Sequence, residues 1–288
     1  MTPSEKLHAH HEKLIGTIRN LADRAAADPA ESSLLVPYCS EYLVAHAEAE
    51  EVTLYKVDED IEFVKNMIHE HREIKHSLEL ISNAYEKGET PVIPSMVRNF
   101  MALLEKHFRE EEETLMPRLS RTISQENLET LIVEAHQIEA EKKKADLWNL
   151  FEFDHKRIDI CVDRLRRSVG EMESARKLYS VSRARLLKHI ELEETVLFAA
   201  FGEHAEAGQM GPVQVMIAEH REITSLIGAS SDSVDEKALP SLVDTLIGKL
   251  AVHNKKEELI LYPLINRSMP RGEREKVFKV CFGGFASV

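Results

Sequence analysis

The pattern His-x-x-x-Glu-Glu occurs four times in the chain, beginning at His46, His107, His189 and His253. Residues four apart on an α-helix lie on one face about one turn apart, so each copy directs an imidazole and a carboxylate toward one point. One such pair is common on solvated helix surfaces. Four copies at regular intervals indicate helices that converge on a cation.

The two halves of the chain repeat each other. Four histidines of the first half recur in the same order after 144, 143, 149 and 146 positions. Self-similarity of this kind identifies a tandem duplication. We therefore predict two domains, residues 1–145 and 146–288. The matched histidine pairs are His11 and His155, His46 and His189, His71 and His220, and His107 and His253.

The sequence of each half predicts four helices, because apolar residues recur at three- and four-residue steps and no sustained strand-like alternation is present. Pro37 is expected to break the second helix and Pro117 to stop the fourth. The predicted fold class is all-α: two tandem antiparallel up-down four-helix bundles, each followed by a short fifth helix. The predicted helices are Lys6–Asp23, Glu31–Lys56, Asp58–Lys87, Pro94–Met116 and Gln125–Lys143, then residues 148–171, 173–201, 210–229, 236–262 and 271–280.

One histidine from each helix, and one glutamate from the second and fourth, would meet in each bundle core. The spacing between successive histidines matches one helix plus a turn. His10 and His69 remain rivals of their neighbours His11 and His71. The second glutamate of each doublet remains a rival of the first: Glu51, Glu112, Glu194 and Glu258. The predicted metal ligands are His11, His46, Glu50, His71, His107 and Glu111, then His155, His189, Glu193, His220, His253 and Glu257.

Imidazoles and carboxylates without thiolates favour iron or manganese, with zinc as a further option. Six protein ligands are too many for one four-coordinate zinc. They suit two metals bridged by the two carboxylates, with room for solvent and an exogenous ligand. Six polar groups in a bundle core would be strongly unfavourable without metal, so metal binding should contribute to folding.

The composition of the chain limits which classes of partner it is expected to bind. The formal net charge of −13 argues against nucleic acid or an anionic membrane as the main partner. No apolar run is long enough to span a bilayer or act as a signal peptide, and the three cysteines form no framework, which predicts a cytoplasmic protein. No nucleophilic triad, P-loop or nucleotide fingerprint is present. We assign no catalytic residue and no organic-cofactor site, and no protein partner is identified.

The histidine and glutamate order resembles that of the hemerythrin-like, or HHE cation-binding, domains. The repeated Glu-His-Arg-Glu-Ile segments at 70–74 and 219–223 add to the resemblance, which covers nearly the whole chain as two domains. The resemblance implies a non-heme di-iron centre in each bundle, with carboxylate bridges and an oxo or hydroxo bridge.

The chain departs from the oxygen-carrying members of that family. Those proteins place two histidines four apart on the third helix, whereas Lys75 and Thr224 stand four residues beyond His71 and His220. The resemblance is therefore closer to the branch associated with iron sensing, iron–sulfur repair and response to nitric oxide or peroxide. We expect a protein that binds or senses O2, NO, peroxide or iron. The alternatives are a peroxide-decomposing or ferroxidase-type enzyme and an iron-storage or iron–sulfur repair protein.

The remaining histidines have no counterpart in the other half and are expected at the surface. For Tyr55 and Tyr262 a packing role is favoured, with a place near the metals as the alternative. The histidines expected at the surface are His8, His10, His69, His76, His136 and His204.

Overall fold

The computed structural model describes residues 2–228, 235 and 237–288, and this part of the chain contains helices and no strand. The chain divides into two compact units, Met1–Lys144 and Ala145–Val288. In the described residues, no helix is both long enough and apolar enough to cross a membrane.

The first unit contains five helices, two of them with an internal π turn. They are α1 (Pro3–Ala27), α2 (Ser32–Tyr38, a π turn at Cys39–Leu43, then Val44–Val52), α3 (Ile61–Glu86), α4 (Ile93–Glu110, a π turn at Glu111–Leu115, then Met116–Thr122) and α5 (Gln125–Lys142). Short 3-10 turns lie at Pro29–Glu31, Leu54–Val57 and Thr90–Val92.

The second unit repeats this plan. Its helices are α6 (Leu147–Ser168), α7 (Met172–Leu192, a π turn at Glu193–Leu197, then Phe198–Gly202), α8 (Gly211–Leu226), α9 (Leu239–Lys256, a π turn at Glu257–Leu261, then Tyr262–Ser268) and α10 (Arg271–Ala286). The all-α prediction is confirmed. The predicted end at 229 and start at 236 lie outside the described residues.

Local capping explains where several helices begin. The Thr2 hydroxyl accepts a hydrogen bond from the Glu5 backbone N–H at 3.2 Å, and the Glu5 carboxylate accepts one from the Thr2 N–H at 2.7 Å. Together with Pro3 in the first turn, this capping box satisfies donors that the helix itself leaves unpaired. The Asp60, Ser124 and Asp146 side chains each accept a hydrogen bond from the backbone N–H three residues later, at the starts of α3, α5 and α6.

Pro117 does not stop α4, and that prediction was wrong. The π turn at Glu111–Leu115 shifts the hydrogen-bond ladder, and the helix restarts with Pro117 in its first turn, where no N–H donor is required. Pro263 is accommodated in the same way after Glu257–Leu261. Nor does Pro37 end the first segment of α2, since the helix runs through it and the irregularity is the π turn that follows.

Three of the π turns begin at a predicted ligand, namely Glu111, Glu193 and Glu257. Single π turns inside α-helices are often found at functional sites, because the extra residue redirects a side chain. At Glu50 the helix instead ends at Val52, and a 3-10 turn brings Tyr55 inward. Each predicted glutamate therefore lies beside a local departure from regular helix.

The apolar cores flank the histidines and show the antiparallel arrangement. In the second unit one cluster contains residues after His155 and His220 and residues before His189 and His253. Because the chain passes this core after its ligand on α6 and α8 but before its ligand on α7 and α9, neighbouring helices run in opposite directions. The core residues include Ile158, Val162, Leu186, Ile223, Val243 and Leu250.

Candidate metal centres

All six predicted residues of the first unit lie together in its core. They form two groups in which the candidate ligand atoms of each group lie within 4.8 Å of one another. Glu50 and Glu111 belong to both groups, so two carboxylates stand between two pairs of imidazoles. The groups are His11, His46, Glu50 and Glu111, and Glu50, His71, His107 and Glu111.

The second unit builds the same arrangement. Glu193 and Glu257 are shared between the groups and are fully buried. The first glutamate of each doublet, rather than the second, lies inside the cluster in both units. The groups are His155, His189, Glu193 and Glu257, and Glu193, His220, His253 and Glu257.

The distances within each group suit common ligation of one ion. The imidazole Nε2 atom and the carboxylate one turn later are 3.3 Å apart for His46 and Glu50, and 3.4 Å apart for His107 and Glu111. The His253 Nε2 atom lies 3.2 Å from Glu257. Two ligands of one ion, each at roughly 2.1 Å, are separated by roughly 3 to 3.4 Å.

Many of the cluster atoms that face one another are buried and have no hydrogen-bond partner. Across the twelve residues, nine inward nitrogen and oxygen atoms lack a partner, a pattern that normally costs stability. The Nε2 atoms of His220 and His253 are only 3.1 Å apart. A cation at the centre of each group satisfies these atoms, so the donor sets fit metal ions. The unpaired atoms are Nε2 of His11, His46, His107 and His189, both Glu50 oxygens, and Oε2 of Glu111, Oε2 of Glu193 and Oε1 of Glu257.

Each of the eight predicted ligand histidines contacts a carboxylate through Nδ1, the ring nitrogen that faces away from the cluster. Such a partner holds the proton on Nδ1, leaves Nε2 free to face the cluster and fixes the ring orientation. The pairs and their distances are His11–Glu112 at 3.0 Å, His46–Glu139 at 3.4 Å, His71–Glu51 at 2.9 Å, His107–Glu70 at 3.0 Å, His155–Glu258 at 2.8 Å, His189–Asp154 at 2.9 Å, His220–Glu194 at 2.9 Å and His253–Glu219 at 3.0 Å.

These contacts form a ring around the second bundle. Each carboxylate contacts the histidine of the next helix around the bundle. Asp154 of α6 contacts His189 of α7, and Glu194 of α7 contacts His220 of α8. Glu219 of α8 contacts His253 of α9, and Glu258 of α9 contacts His155 of α6. Sequence reasoning assigned no role to Glu70, Glu139, Asp154 or Glu219. The repeated Glu-His dipeptides at 70–71 and 219–220 were the available signal for two of them.

The carboxylates control the charge of the imidazoles. Burial alone lowers a histidine pKa, but the hydrogen bonds that His11 donates to Glu112 and Glu50, together with the charge of Glu111, raise the pKa of His11 to about 10. The pKa of His107 likewise rises to about 10, because Glu111 and Glu70 outweigh its burial. At His46 burial dominates and lowers the pKa to about 4. Without metal, protons on His11 and His107 therefore balance the buried carboxylates of the first unit.

A buried tyrosine hydroxyl contacts one shared glutamate in each unit. The Tyr55 hydroxyl donates to Glu111 at 2.5 Å, and the Tyr262 hydroxyl donates to Glu193 at 2.6 Å. Burial, and then the nearby carboxylate charges, raise the pKa of both phenols well above the usual value, so both remain protonated donors. Tyr55 also packs in the apolar core of its unit, so the expected packing role and the alternative of a place near the cluster hold together.

The two tyrosines occupy different helices. Tyr55 follows α2 and also lies 3.3 Å from the Nε2 atom of His71, whereas Tyr262 lies in α9 and is 3.1 Å from the Nε2 atom of His155. Each tyrosine thus lies beside only one of the two ligand groups in its unit. Tyr55 lies beside the group that contains His71 of α3, and Tyr262 lies beside the group that contains His155 of α6. The two groups within a unit are therefore not equivalent.

A cavity of about 200 Å³ opens beside the first cluster. His46, His71 and His107 contribute to its lining, together with apolar side chains such as Phe108. Lys75, at the position where a fifth histidine would stand, also lines it. A small molecule therefore has space next to the imidazoles of the first unit.

Three of the histidines expected at the surface are not fully exposed. His10, His136 and His204 are partly buried, and the His10 Nε2 atom lies 2.9 Å from Glu139. His10 and His136 were misplaced because helix periodicity does not reveal that α5 packs against α1 and α2. His8, His69 and His76 are exposed as expected.

The fold and the clusters define a protein of two helical bundles, each with a buried histidine–glutamate set that could hold cations. The sequence matches the model of the hemerythrin HHE cation binding domain twice, over residues 2–141 and 146–265. These matches cover most of the chain, and it therefore belongs to the hemerythrin HHE cation-binding family. No curated protein and no solved structure matches the chain.

Proposed function

We propose that the protein is a non-heme di-iron protein with one carboxylate-bridged pair of ions in each unit, and that it binds a small ligand such as O2, NO or peroxide. The observation that carries the proposal is the doubled donor set: two groups per unit that share both glutamates. Two imidazoles and two carboxylate oxygens for each ion suit iron, with manganese or zinc as substitutes. When bound, such a pair supplies redox-active ions with open coordination positions.

The residues of the chain perform distinct tasks around that pair. The shared glutamates hold the two ions together and offset their charge. The outer carboxylates orient the imidazoles and increase their basicity. The cavity beside His71 and His107 admits the small ligand.

The cavity gives a direct test of ligand binding. Ala47 lines it, whereas Ala102 lies exposed on α4 and serves as the matched control. The background is a protein whose second centre is removed by Glu193→Ala and Glu257→Ala. In iron-loaded, anaerobically reduced samples, Ala47→Phe should slow the absorbance change on mixing with O2 or NO, and Ala102→Phe should not. Equal rates in both variants and in the parent would contradict the assigned route.

A second candidate function is an oxidoreductase that decomposes peroxide or oxidises Fe(II). The buried tyrosine hydroxyls favour it, because each keeps a protonated O–H donor beside one group of candidate ligands, hydrogen-bonded to a shared carboxylate at 2.5 or 2.6 Å. Tyr55→Phe should then slow turnover of peroxide at the first centre without releasing its iron. A stable ligand complex without turnover in the parent protein would rule this function out and leave the binding function.

A further inference from the structure

A buried arginine lies behind one outer carboxylate of the second centre. Arg157 follows Asp154 by one turn on α6 and is fully buried. Asp154 is also buried, and its Oδ2 atom lies 2.9 Å from the His189 Nδ1 atom. The other carboxylate oxygen, Oδ1, lies 3.6 Å from the Arg157 guanidinium. Three buried groups therefore follow one another, from Arg157 through Asp154 to a predicted metal ligand.

The same guanidinium contacts the end of α10, which packs against α6 and α7. The Arg157 Nη1 atom donates to the Phe285 carbonyl oxygen at 2.8 Å, and Nη2 donates to the Val288 carbonyl oxygen at 2.5 Å. The Phe285 ring stacks against His189, with the ring centroids 5.8 Å apart. One arginine therefore joins the last turn of α10 to the carboxylate that supports His189.

Asp154 depends on this arginine for its second contact. The Oδ1 atom is buried and accepts no hydrogen bond. Among the described residues, Arg157 is the one lysine or arginine that forms an ion pair with Asp154. Removing one partner of a buried ion pair leaves an uncompensated charge and is strongly unfavourable. Without Arg157, the carboxylate would therefore lose the cation that holds it in its orientation toward His189.

The first unit provides an internal comparison, because a different cation lies at the corresponding place. The counterpart of Arg157 in the repeat is Lys13, which is exposed. In the first unit Glu139 of α5 contacts His46, and Lys143 contacts the other Glu139 oxygen at 2.9 Å. In both units, one oxygen of the carboxylate faces the histidine and the other faces a cation. The cation is a partly exposed lysine in the first unit and a fully buried arginine in the second.

We propose that Arg157 is a positioning residue of the second metal centre, which holds the Asp154 carboxylate against His189 and connects this centre to the end of α10. The inference rests on the proposed di-metal function. Arg157 is not itself a candidate ligand, so it acts through Asp154. While Asp154 is held in place, the His189 Nδ1–H keeps its acceptor, and Nε2 keeps the orientation and basicity that metal binding requires.

The test is a double-mutant cycle on the zinc affinity of the second unit. The parent is the full chain with the first centre removed by Glu50→Ala and Glu111→Ala, and bound Zn2+ is titrated with a chelator of known affinity. Asp154→Asn should weaken zinc binding by roughly tenfold, because it removes the charge of the outer carboxylate. Arg157→Met should weaken it by up to about tenfold, and it should have no further effect when Asp154→Asn is already present.

Further variants separate positioning from folding. Arg157→Lys keeps a positive charge and should recover part of the affinity, and Arg157→Gln replaces Arg157→Met in the cycle if the latter does not fold. Lys13→Met is the matched control. It should leave the zinc affinity of the first unit unchanged, measured with the second centre removed by Glu193→Ala and Glu257→Ala.

Two results would overturn the proposal. One is an equal loss of zinc affinity from Arg157→Met with and without Asp154→Asn, since Arg157 would then act only through the packing of α10. The other is unchanged or tighter zinc binding in Arg157→Met. A parent that binds no zinc in its second unit would instead refute the proposed di-metal function, and the role of Arg157 with it.

Discussion

Replacing Glu112 by Gln isolates the contribution of one outer carboxylate to metal affinity. Glu112 lies outside the cluster of the first unit, and one of its oxygens lies 3.0 Å from the His11 Nδ1 atom. The glutamine keeps a carbonyl oxygen that can accept from Nδ1–H but removes the negative charge. The His11 ring should stay in place while its Nε2 atom becomes a weaker base.

The expected magnitude follows from this geometry. Loss of such a partner typically weakens metal binding by roughly 10- to 100-fold. Because Gln retains the hydrogen bond, Glu112→Gln should lie near the lower end, about 1.4 kcal/mol. Glu112→Ala removes the acceptor as well and should lie nearer the upper end, about 2.8 kcal/mol. The affinity of the second unit should not change in either variant.

The assay is competition of the metal-loaded protein against a chelator of known affinity. Glu113→Gln is the matched control, because Glu113 is the next residue of the same acidic run and is exposed. Equal affinities for Glu112→Gln and the parent protein would refute the role of the outer carboxylates. An equal loss in Glu113→Gln would attribute the effect to general surface charge instead.

The other predictions concern stability. Despite their burial, carboxylate partners raise the pKa of His155 to about 9 and the pKa of His220 to about 10, above the 6.5 of an unperturbed histidine. The stability that these protons contribute is complete below pH 6.5 and is lost as the pH rises toward 10. Thermal melts of metal-free protein should therefore shift downward across this window, and melts of metal-loaded protein should shift much less; parallel curves would contradict this. In α10, Gly284→Ala should destabilise the second unit by about 1 to 3 kcal/mol, because the new Cβ would lie 2.7 Å from Leu192. Gly283→Ala meets nothing within 4 Å and should stabilise it by about 0.5 kcal/mol, so denaturant melts that fail to separate the two variants would refute the close approach.

Much of the fold could be predicted from the sequence because the histidine spacing repeats. The matched positions of His11 and His155, and of His107 and His253, located one ligand on each helix without knowledge of tertiary contacts. The doubled glutamates were resolved only by the structure, since Glu111 and Glu112 differ by one residue and a π turn begins at the first of them.

The π turns themselves could not be predicted. They depend on a shift in the backbone hydrogen-bond ladder, which hydrophobic periodicity does not record. For the same reason the sequence predicts that a helix ends at Pro117, whereas the helix continues to Thr122.

The role of Glu139 also could not be predicted from the sequence. It depends on how α5 packs against α1 and α2, a long-range contact that no local pattern encodes. The mismatch between His10 and Asp154 at equivalent positions was visible in the repeat alignment. It becomes informative only once the ring of outer carboxylates is known.

The most direct test of the account is the metal content of protein from which one pair of shared glutamates has been removed. Iron-replete parent protein should carry about four iron atoms per chain, two for each donor set. Glu50→Ala with Glu111→Ala should leave two, and Glu193→Ala with Glu257→Ala should also leave two. Four iron atoms in either variant, or no more than one in the parent, would contradict the assignment of two carboxylate-bridged pairs.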